Sequence, residues 1–343
     1  MFNIDTLTRK NIQQMKAYSS ARSEYKGKAD IWLDANENPN ETDLNRYPDP
    51  LQLRLKEEIS KLKEVDPNKI FIGNGSDEAI DLLFRAFCEP GSSKAFIFPP
   101  TYGMYEVSAA INNVEVEKIP LNENFELPPS EKVKAKLSPT GLLFICSPNN
   151  PTGNSTDLQR VKEIATCFSG LVVVDEAYID FSENKSAISL LAEIPNLVVL
   201  QTFSKAYGLA GARIGMAFAN PDIIAILNRI KPPYNINTLS MTAAQEVLSN
   251  NEKISIQINE IKEERHRLVI ELLKLKFVNR IFPSEANFLL IQFSNSKKVF
   301  NTLLNAGIVV RNRATQVKKC LRITVGTKIE NNKLIKILKD LQG

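Results

Sequence analysis

The chain has 343 residues, of which 43% are hydrophobic and 24% are charged, and its formal net charge is +4 at pH 7. This length allows a large core and two lobes, and the composition is that of an ordinary globular protein. The small net charge, without a dominant lysine or arginine block, argues against nucleic-acid binding. No apolar run approaches about 18 residues, and the N-terminus has no secretory pattern, so we expect neither a membrane span nor a signal peptide.

Residues 1 to about 30 are polar and weakly periodic, and we expect an N-terminal arm lying over another surface. Ile31–Leu33 then predicts a short strand, and a turn-rich segment with Asn45-Arg-Tyr-Pro-Asp-Pro50 follows it. Apolar residues at helical spacing predict a helix over Leu51–Leu62.

The middle of the chain alternates between apolar runs and segments with helical periodicity. This alternation is typical of a parallel sheet covered on both faces by helices. The predicted strands are Lys69–Ile72, Ala95–Phe98, Glu115–Ile119, Gly141–Cys146, Leu171–Val174 and Leu197–Leu200, and the predicted helices are Ala79–Phe87, Glu106–Ile111 and Leu158–Phe168. Ligands of such sheets bind beyond the carboxyl ends of the strands, and the distinctive residues of this chain follow those ends.

The character of the sequence changes after about residue 230. Lys231-Pro-Pro-Tyr-Asn-Ile-Asn237 predicts a boundary, and a long charged helix is predicted over Thr238–Lys274. Strand-like pieces follow at Asn287–Ile291, Ile308–Val310 and Cys320–Val325.

We therefore predict an α/β fold in three parts. These are an N-terminal arm at residues 1–35, a large three-layer domain with a mostly parallel sheet at residues 36–235, and a smaller α+β domain at residues 236–343.

The histidine and cysteine residues exclude several kinds of chemistry. His266 is the only histidine, which disfavours a histidine-based zinc site and a Ser-His-Asp triad. The cysteines lack the spacing of paired metal ligands, so we expect no metal and reduced thiols in a cytoplasmic protein. They are Cys88, Cys146, Cys167 and Cys320.

The stretch from Thr202 to Gly215, TFSKAYGLAGARIG, follows a predicted buried strand. Lys205 lies among glycines, which let backbone approach a ligand closely. An isolated lysine is ordinarily a solvated surface group, but one desolvated near other cations has a lowered pKa and can form a Schiff base with an aldehyde. Arg213 would suit a phosphate. The stretch thus predicts a site for a phosphorylated aldehyde cofactor.

Gly73-Asn-Gly-Ser-Asp-Glu78 is a glycine-rich turn that opens a predicted helix, where free backbone N–H groups would bind an anion. An ordinary helix start with Ser76 or Asp77 as N-cap is the alternative. The turn lacks the full glycine spacing of a dinucleotide fingerprint, which argues against a nicotinamide enzyme.

Three further residues suit a pyridine ring. Asp175, at a strand end, could keep a ring nitrogen protonated, although a turn or cap role is common for such an aspartate. Asn150 could donate to a ring oxygen, and its bond to Pro151 is a candidate cis peptide. Tyr102 offers a face for stacking, with a core aromatic as the alternative.

These motifs resemble those of the fold-type I pyridoxal-phosphate-dependent aminotransferases. The matching pieces are Ser-Lys-Ala-Tyr-Gly around Lys205, Asn-Asn-Pro-Thr-Gly around Asn150, Asp-Glu-Ala-Tyr at Asp175–Tyr178 and Leu-Arg-Ile-Thr-Val around Arg322. More narrowly, the segments beginning at Asn45, Cys88, Pro99, Thr202 and Cys320 resemble the histidinol-phosphate aminotransferase family, in the family's order from about Tyr18 to Gly326.

The resemblance implies roles around the cofactor ring. Lys205 would bind pyridoxal 5'-phosphate as a Schiff base and, once released by substrate, move the proton between Cα and C4′. Asp175 would pair with the pyridinium nitrogen. Asn150 and Tyr178 would hydrogen-bond the ring oxygen, and Tyr102 would stack on the ring.

The resemblance also implies how the anions are held. The cofactor phosphate would contact the backbone N–H groups of Ser76 and Asp77, together with Ser204 and Arg213. Tyr47 would reach the phosphate of the neighbouring subunit, so the active unit would be a homodimer with shared active sites.

The resemblance implies that one anion site binds both substrates, through the phosphate ester of histidinol phosphate and through the carboxylate of glutamate. A bidentate guanidinium suits both, and Arg322 is the candidate, with Arg311 and Tyr18 as helpers. A surface salt bridge is the alternative for Arg311, and residues 312–319 give no indication of specificity.

The expected reaction is transfer of an amino group between glutamate and imidazole acetol phosphate in histidine synthesis. An aromatic amino-acid aminotransferase of the same subgroup is the nearest alternative. A threonine-phosphate decarboxylase, a non-catalytic regulator and a nicotinamide dehydrogenase are more distant ones.

Overall fold

The computed structural model describes residues 3–19, 21–25, 27 and 29–341. The strands are β1 (Ile70–Asn74), β2 (Lys94–Ile97), β3 (Glu115–Lys118), β4 (Gly141–Cys146), β5 (Leu171–Asp175), β6 (Leu197–Thr202), β7 (Ile214–Ala219), β8 (Val278–Ile281), β9 (Phe288–Phe293), β10 (Arg311–Asn312) and β11 (Cys320–Thr324). The helices are α1 (Ile4–Leu7), α2 (Lys10–Gln14), α3 (Ala21–Glu24), α4 (Leu53–Lys63), α5 (Ser76–Phe87), α6 (Met104–Ile111), α7 (Ser130–Lys134), α8 (Leu158–Cys167), α9 (Pro221–Ile230), α10 (Thr238–Ser249), α11 (Asn251–Leu272), α12 (Ser296–Asn305) and α13 (Lys328–Asp340). Short 3₁₀ turns lie at Pro67–Lys69, Ile179–Phe181 and Ala187–Leu190.

The larger sheet has seven strands in the order β1-β7-β6-β5-β4-β2-β3. Only β7 runs antiparallel to its neighbours β1 and β6, so the predicted mostly parallel sheet is confirmed. Side chains of a strand alternate between its two faces. Accordingly Val172 and Val174 of β5 contribute to the core on one face, while Leu171 and Val173 contribute to the core on the other.

The smaller sheet has four antiparallel strands in the order β10-β11-β9-β8. It has its own apolar core, built with α11, α12 and α13. Helix α11 belongs to both parts, because Ile254 near its start joins a core of the large sheet and Leu268 joins that of the small one. The domain boundary at residues 235/236 therefore stays a prediction. The boundary of the N-terminal arm at residue 35 also stays a prediction, and positions 1, 2, 20, 26 and 28 of the arm lie outside the described residues.

The six predicted strands of the large sheet are present, with ends that differ by at most two residues. Two other strand predictions are wrong. Ile31–Leu33 pairs with no strand among the described residues, and Ile31 and Leu33 are 75% and 89% exposed. Ile308–Val310 is irregular, and pairing with β11 begins only at Arg311.

The predicted helix over Thr238–Lys274 is two helices. Asn250, with φ −113° and ψ 38°, interrupts the helical backbone, and its N–H bonds to the carbonyl oxygen of Val247. Strand β7 was not predicted, because its small apolar residues continue the glycine-rich stretch without a turn signal. No helix of the described ranges is long and apolar enough to cross a membrane.

Two lysines among the described residues are buried, Lys231 in the segment that joins α9 to α10 and Lys56 on α4. The Nζ atom of Lys231 donates to the carbonyl oxygens of Pro50 at 2.7 Å and Pro233 at 2.9 Å, and to Oδ1 of Asn235 at 3.0 Å. Lys56 of α4 is 6% exposed. Burial, and next the positive charge of Lys231, lowers the pKa of Lys56 to about 8.

Replacing Lys56 with methionine is expected to stabilise the protein by about 2 kcal/mol at pH 7. The folded-state pKa of about 8 is below the ordinary value of 10.5, so protonated Lys56 destabilises the fold fully below pH 8. This destabilisation decreases as the pH rises from about 8 to 10.5, because Lys56 loses its proton in the folded state. Urea unfolding of Lys56→Met and wild type should therefore show a gap that narrows by pH 10.

Lys61→Met is the matched control, since Lys61 lies on the same helix but is exposed. We expect its stability to differ little from that of wild type. A Lys56→Met protein no more stable than wild type at pH 7 would contradict the electrostatic cost assigned to Lys56.

Candidate active site

One pocket of about 380 Å³ lies between the carboxyl-end edge of the large sheet and the β10–β11 pair of the small sheet. Eleven of the thirteen predicted site residues line it. They are Ser76, Asp77, Tyr102, Asn150, Asp175, Tyr178, Ser204, Lys205, Arg213, Arg311 and Arg322. The other pocket-lining residues are Gly75, Cys146, Ala177, Thr202 and Arg313.

The turn between β1 and α5 forms an anion cup. Helix α5 begins at Ser76, three residues before the predicted start, and Gly75 with φ 77° is its N-cap. The alternative with Ser76 or Asp77 as N-cap is therefore wrong, and both lie in the first turn, where N–H groups lack helical acceptors. Arg213 reaches the same turn, with its NH2 atom 3.1 Å from Oδ2 of Asp77.

The cup depends on the absence of a side chain at Gly215. A Cβ atom there would lie 2.0 Å from the backbone nitrogen of Ser76 and 2.3 Å from the carbonyl carbon of Gly75. Strand β7 can thus approach the start of α5 only as backbone. On the other side, the Ser204 hydroxyl lies 3.0 Å from that of Thr202. Amides, a hydroxyl and a guanidinium around one cup fit a phosphate.

Asp175 ends β5 at the floor of the pocket and is 3% exposed. Its Oδ2 accepts a hydrogen bond of 2.7 Å from the Tyr105 hydroxyl, and its Oδ1 accepts one of 3.1 Å from the Ala177 N–H. Burial raises the pKa of Asp175, and these two hydrogen bonds oppose the rise. A cationic partner would also favour the carboxylate, so a protonated pyridine nitrogen fits here.

Lys205 follows β6 and faces the open pocket. Burial, and next the positive charge of Arg322, lowers the pKa of its amine, while Asp175 opposes the change. The Nζ atom lies 5.7 Å from the centre of the Tyr178 ring. A lowered pKa increases the neutral fraction of the amine, which is the form that attacks an aldehyde.

Asn150 is 5% exposed, and its peptide bond to Pro151 is cis, as the sequence suggested. Its Nδ2 lies 3.4 Å from the Tyr178 hydroxyl, and its Oδ1 accepts from Arg322. The Tyr102 hydroxyl donates to Oδ1 of Asp77 at 3.1 Å. The donor set and the cup together fit a phosphorylated pyridine aldehyde.

Three arginines lie at the side of the pocket formed by the small sheet. Arg311 of β10 is in register with Arg322 of β11. Within the described ranges, no carboxylate lies at salt-bridge distance from Arg311, so its salt-bridge alternative finds no support there. Arg313 also lines the pocket, although residues 312–319 were expected to be uninformative. The alternation Arg-Asn-Arg could have indicated that Arg313 lies beside Arg311, because residues two apart on an extended segment share a face.

Two predicted residues do not line this pocket. Tyr18 is 72% exposed. Tyr47 stacks on Tyr234 with ring centres 4.4 Å apart and, with Arg46 and Leu239, lines a separate pocket. The prediction for Tyr47 concerned a neighbouring subunit, so its position outside its own chain's pocket leaves that prediction open.

Tyr105 is a functional candidate that sequence reasoning missed. It lies on α6, is fully buried and stacks on Phe144 with ring centres 4.5 Å apart. A buried aromatic of this kind cannot be told from an ordinary core residue by its sequence context. Only the fold brings its hydroxyl to Asp175.

Replacing Gly215 with alanine is expected to displace the start of α5, because the added Cβ would overlap backbone atoms. We expect the free energy of unfolding to fall by about 1–3 kcal/mol and the affinity for pyridoxal phosphate to fall by at least about tenfold. Thermal unfolding of the cofactor-free protein and a pyridoxal phosphate titration measure the two effects.

Gly211→Ala is the matched control from the same glycine-rich stretch, because a Cβ there would meet nothing within 4 Å. Its cofactor affinity should stay near that of wild type. Equal cofactor affinity of Gly215→Ala and Gly211→Ala would contradict the role given to close backbone packing.

Comparison with known proteins agrees with this geometry. The family model described as aminotransferase class I and II matches residues 21–338. The chain is 51% identical to a histidinol-phosphate aminotransferase of Christiangramia forsetii, with 100% of this chain and 99% of that one covered. The histidinol-phosphate aminotransferase of Clostridium acetobutylicum superposes with a TM-score of 0.81 at 27% identity, covering 88% of this chain and 91% of that one.

A further solved structure is that of the histidinol-phosphate aminotransferase of Sinorhizobium meliloti in complex with pyridoxal-5'-phosphate. It has a TM-score of 0.78 and 24% identity, and the match covers 87% of this chain and 84% of that one, so it supports the fold. The family model and the relative that is half identical over its full length support the closer relationship. The chain belongs to the aminotransferase class I and II family and, within it, to the histidinol-phosphate aminotransferases.

Proposed function

We propose that this chain is a pyridoxal-phosphate-dependent transaminase that transfers an amino group between glutamate and imidazole acetol phosphate. The products are 2-oxoglutarate and histidinol phosphate, in histidine biosynthesis. The observation that carries the proposal is one pocket holding an anion cup, a buried carboxylate, a lysine with a lowered pKa and a cluster of arginines. The full-length similarity to histidinol-phosphate aminotransferases supports the substrate pair.

Bound pyridoxal phosphate supplies an electron sink for the electrons left at the substrate Cα when its proton is removed. Lys205 would hold this cofactor through Nζ and, as a free amine, would move the proton between the substrate Cα and C4′. Its lowered pKa favours the neutral amine that this proton transfer needs. Lys205 is thus the proposed base and acid of the reaction.

Asp175 would face the ring nitrogen and favour its protonated form, which would strengthen the electron sink. Tyr105 and Ala177 keep the Asp175 carboxylate oriented through their hydrogen bonds. Asn150 and Tyr178 would donate to the ring oxygen, and Tyr102 would stack on the ring. All three side chains line the same pocket as Lys205.

The cofactor phosphate would bind in the anion cup. The N–H groups of Ser76 and Asp77, the Ser204 hydroxyl and the Arg213 guanidinium are its proposed donors. Arg213 already pairs with Asp77, which keeps its guanidinium at the rim of the cup. The positive end of α5 adds to this attraction.

Arg322 is the proposed ligand of the substrate anion, assisted by Arg311. The helper role of Tyr18 stays a prediction, because Tyr18 does not line this pocket. The guanidinium of Arg322 donates to Oδ1 of Asn150 and lies 5.2 Å from the centre of the Phe288 ring. These contacts orient the planar group for bidentate binding of a carboxylate or a phosphate ester.

The glutamate half-reaction of the purified protein tests the function. We expect glutamate to bleach the visible absorbance of the bound cofactor, and kcat/KM to be higher for histidinol phosphate than for phenylalanine. Lys205→Ala should lose the activity while keeping its thermal stability in the absence of cofactor. Preference for phenylalanine would favour the aromatic aminotransferase alternative, and near-normal turnover by Lys205→Ala would refute the mechanism.

We also propose that the active unit is a homodimer, to which Tyr47 contributes across the interface. The support is a set of exposed apolar side chains near the pocket of Tyr47. Leu44 at 52% exposure and Leu239 at 65% line that pocket. Ile31 at 75% and Leu33 at 89% flank Trp32, whose carbonyl oxygen accepts a hydrogen bond from Arg46 of the same pocket. Such a surface on a globular protein indicates association. A cytoplasmic location stays a prediction, supported by the four free cysteines.

Mixing two inactive variants tests the shared site. If Tyr47 of one subunit acts with Lys205 of the other, subunits of Tyr47→Ala and Lys205→Ala form one site with both defects and one intact site. Activity should therefore return after the variants are mixed and allowed to exchange subunits, with sedimentation velocity verifying the dimer. A monomer in sedimentation, or no recovery in a verified mixed dimer, would contradict this proposal.

A further inference from the structure

Arg313 extends the antiparallel pairing of β10 with β11 by one residue. Its N–H donates to the carbonyl oxygen of Cys320 at 3.0 Å, next to the pair formed by Asn312 and Leu321. Arg311 and Arg313 therefore lie on the same face of an extended segment, and Arg322 lies on that face of the partner strand. All three line the active-site pocket.

The three guanidiniums carry a positive charge that this part of the protein does not neutralise. Within the described residues, no carboxylate lies at salt-bridge distance from any of them. Burial, followed by the positive charges of Arg322 and Arg311, lowers the pKa of Arg313 to about 10. Arg313 is thus still a cation at neutral pH.

Arg313 differs from Arg311 in its surroundings. Arg311 is exposed, so water and salt screen its charge. Arg313 is half-buried, and its Nε atom is buried without a hydrogen-bond acceptor among the described residues. Gln316 accepts from its NH1 atom at 3.2 Å and orients the group. A buried donor without an acceptor is costly, and an anion entering the pocket would remove that cost.

We propose that Arg313 is a specificity-determining residue that binds the phosphate of the phosphorylated substrate and is not needed for glutamate. This inference rests on the proposed function and deepens it. A phosphate monoester carries a charge of about −1.5 to −2 at pH 7, whereas a carboxylate carries a single charge. Arg322 serves both anions, and Arg313 supplies the additional positive charge and donors that only the larger anion uses.

Measuring the two half-reactions of the holoenzyme distinguishes a role in binding the substrate phosphate from a role in binding both substrates. Arg313→Gln should lower kcat/KM for histidinol phosphate by about 100-fold and change that for glutamate by less than about threefold. Arg313→Lys, which keeps the charge and loses the planar fork, should recover part of the loss. Arg280→Gln, at an exposed arginine of β8 outside the pocket, is the control for removing one charge and should match wild type.

Inorganic phosphate and acetate provide a test that is independent of the natural donor. In wild type, phosphate should compete with glutamate, and Arg313→Gln should weaken this inhibition by at least about tenfold while inhibition by acetate stays the same. The role of Arg313 would be overturned if kcat/KM fell equally for both substrates, or if the ratio of the two kcat/KM values did not change. Unchanged inhibition by phosphate would also overturn it. A wild-type preference for another donor would instead refute the proposed function, and the phosphate inhibition would still decide the role of Arg313.

Discussion

The buried carboxylate of Asp175 is the constraint on which the rest of the site depends. Removing a charged group from water is costly unless hydrogen bonds or an opposite charge compensate it. Tyr105 and the N–H of Ala177 provide hydrogen bonds, while burial still raises the pKa of the carboxyl. The site is therefore set up to receive a cation, and a protonated ring nitrogen is the partner that the neighbouring lysine and anion cup also suit.

The fold brings a buried carboxylate, a lysine and an anion-binding turn together at one edge of the large sheet. Asp175 ends β5 and Lys205 follows β6, and these neighbouring parallel strands have their carboxyl ends at that edge. The reversed strand β7 then places Gly215 against the start of α5. As a result, the anion cup is formed by backbone from two distant parts of the chain, and the arginines of the small sheet close the opposite side.

The large sheet could be predicted from sequence because its strands are continuous apolar runs separated by helical periodicity. The predictions of secondary structure were wrong where the local sequence pattern and the packing of the folded chain disagree. Ile31–Leu33 has the composition of a strand but lies exposed without a strand partner among the described residues, and the same surface supports a proposed subunit contact. In the predicted long helix, one asparagine with non-helical dihedrals separates two helices that pack on different neighbours.

The sequence by itself determined the motifs, six of the seven strands of the large sheet and eleven of the sixteen residues that line the pocket. Those residues lie at strand ends, which parallel topology necessarily brings together. Only the tertiary structure assigned Tyr105 to Asp175 and Arg313 to the arginine cluster. The Tyr105 hydroxyl reaches the site through helix packing, which leaves no local signature in the sequence. The Arg-Asn-Arg alternation at Arg313 points to the pocket only when the register of β10 on β11 is known.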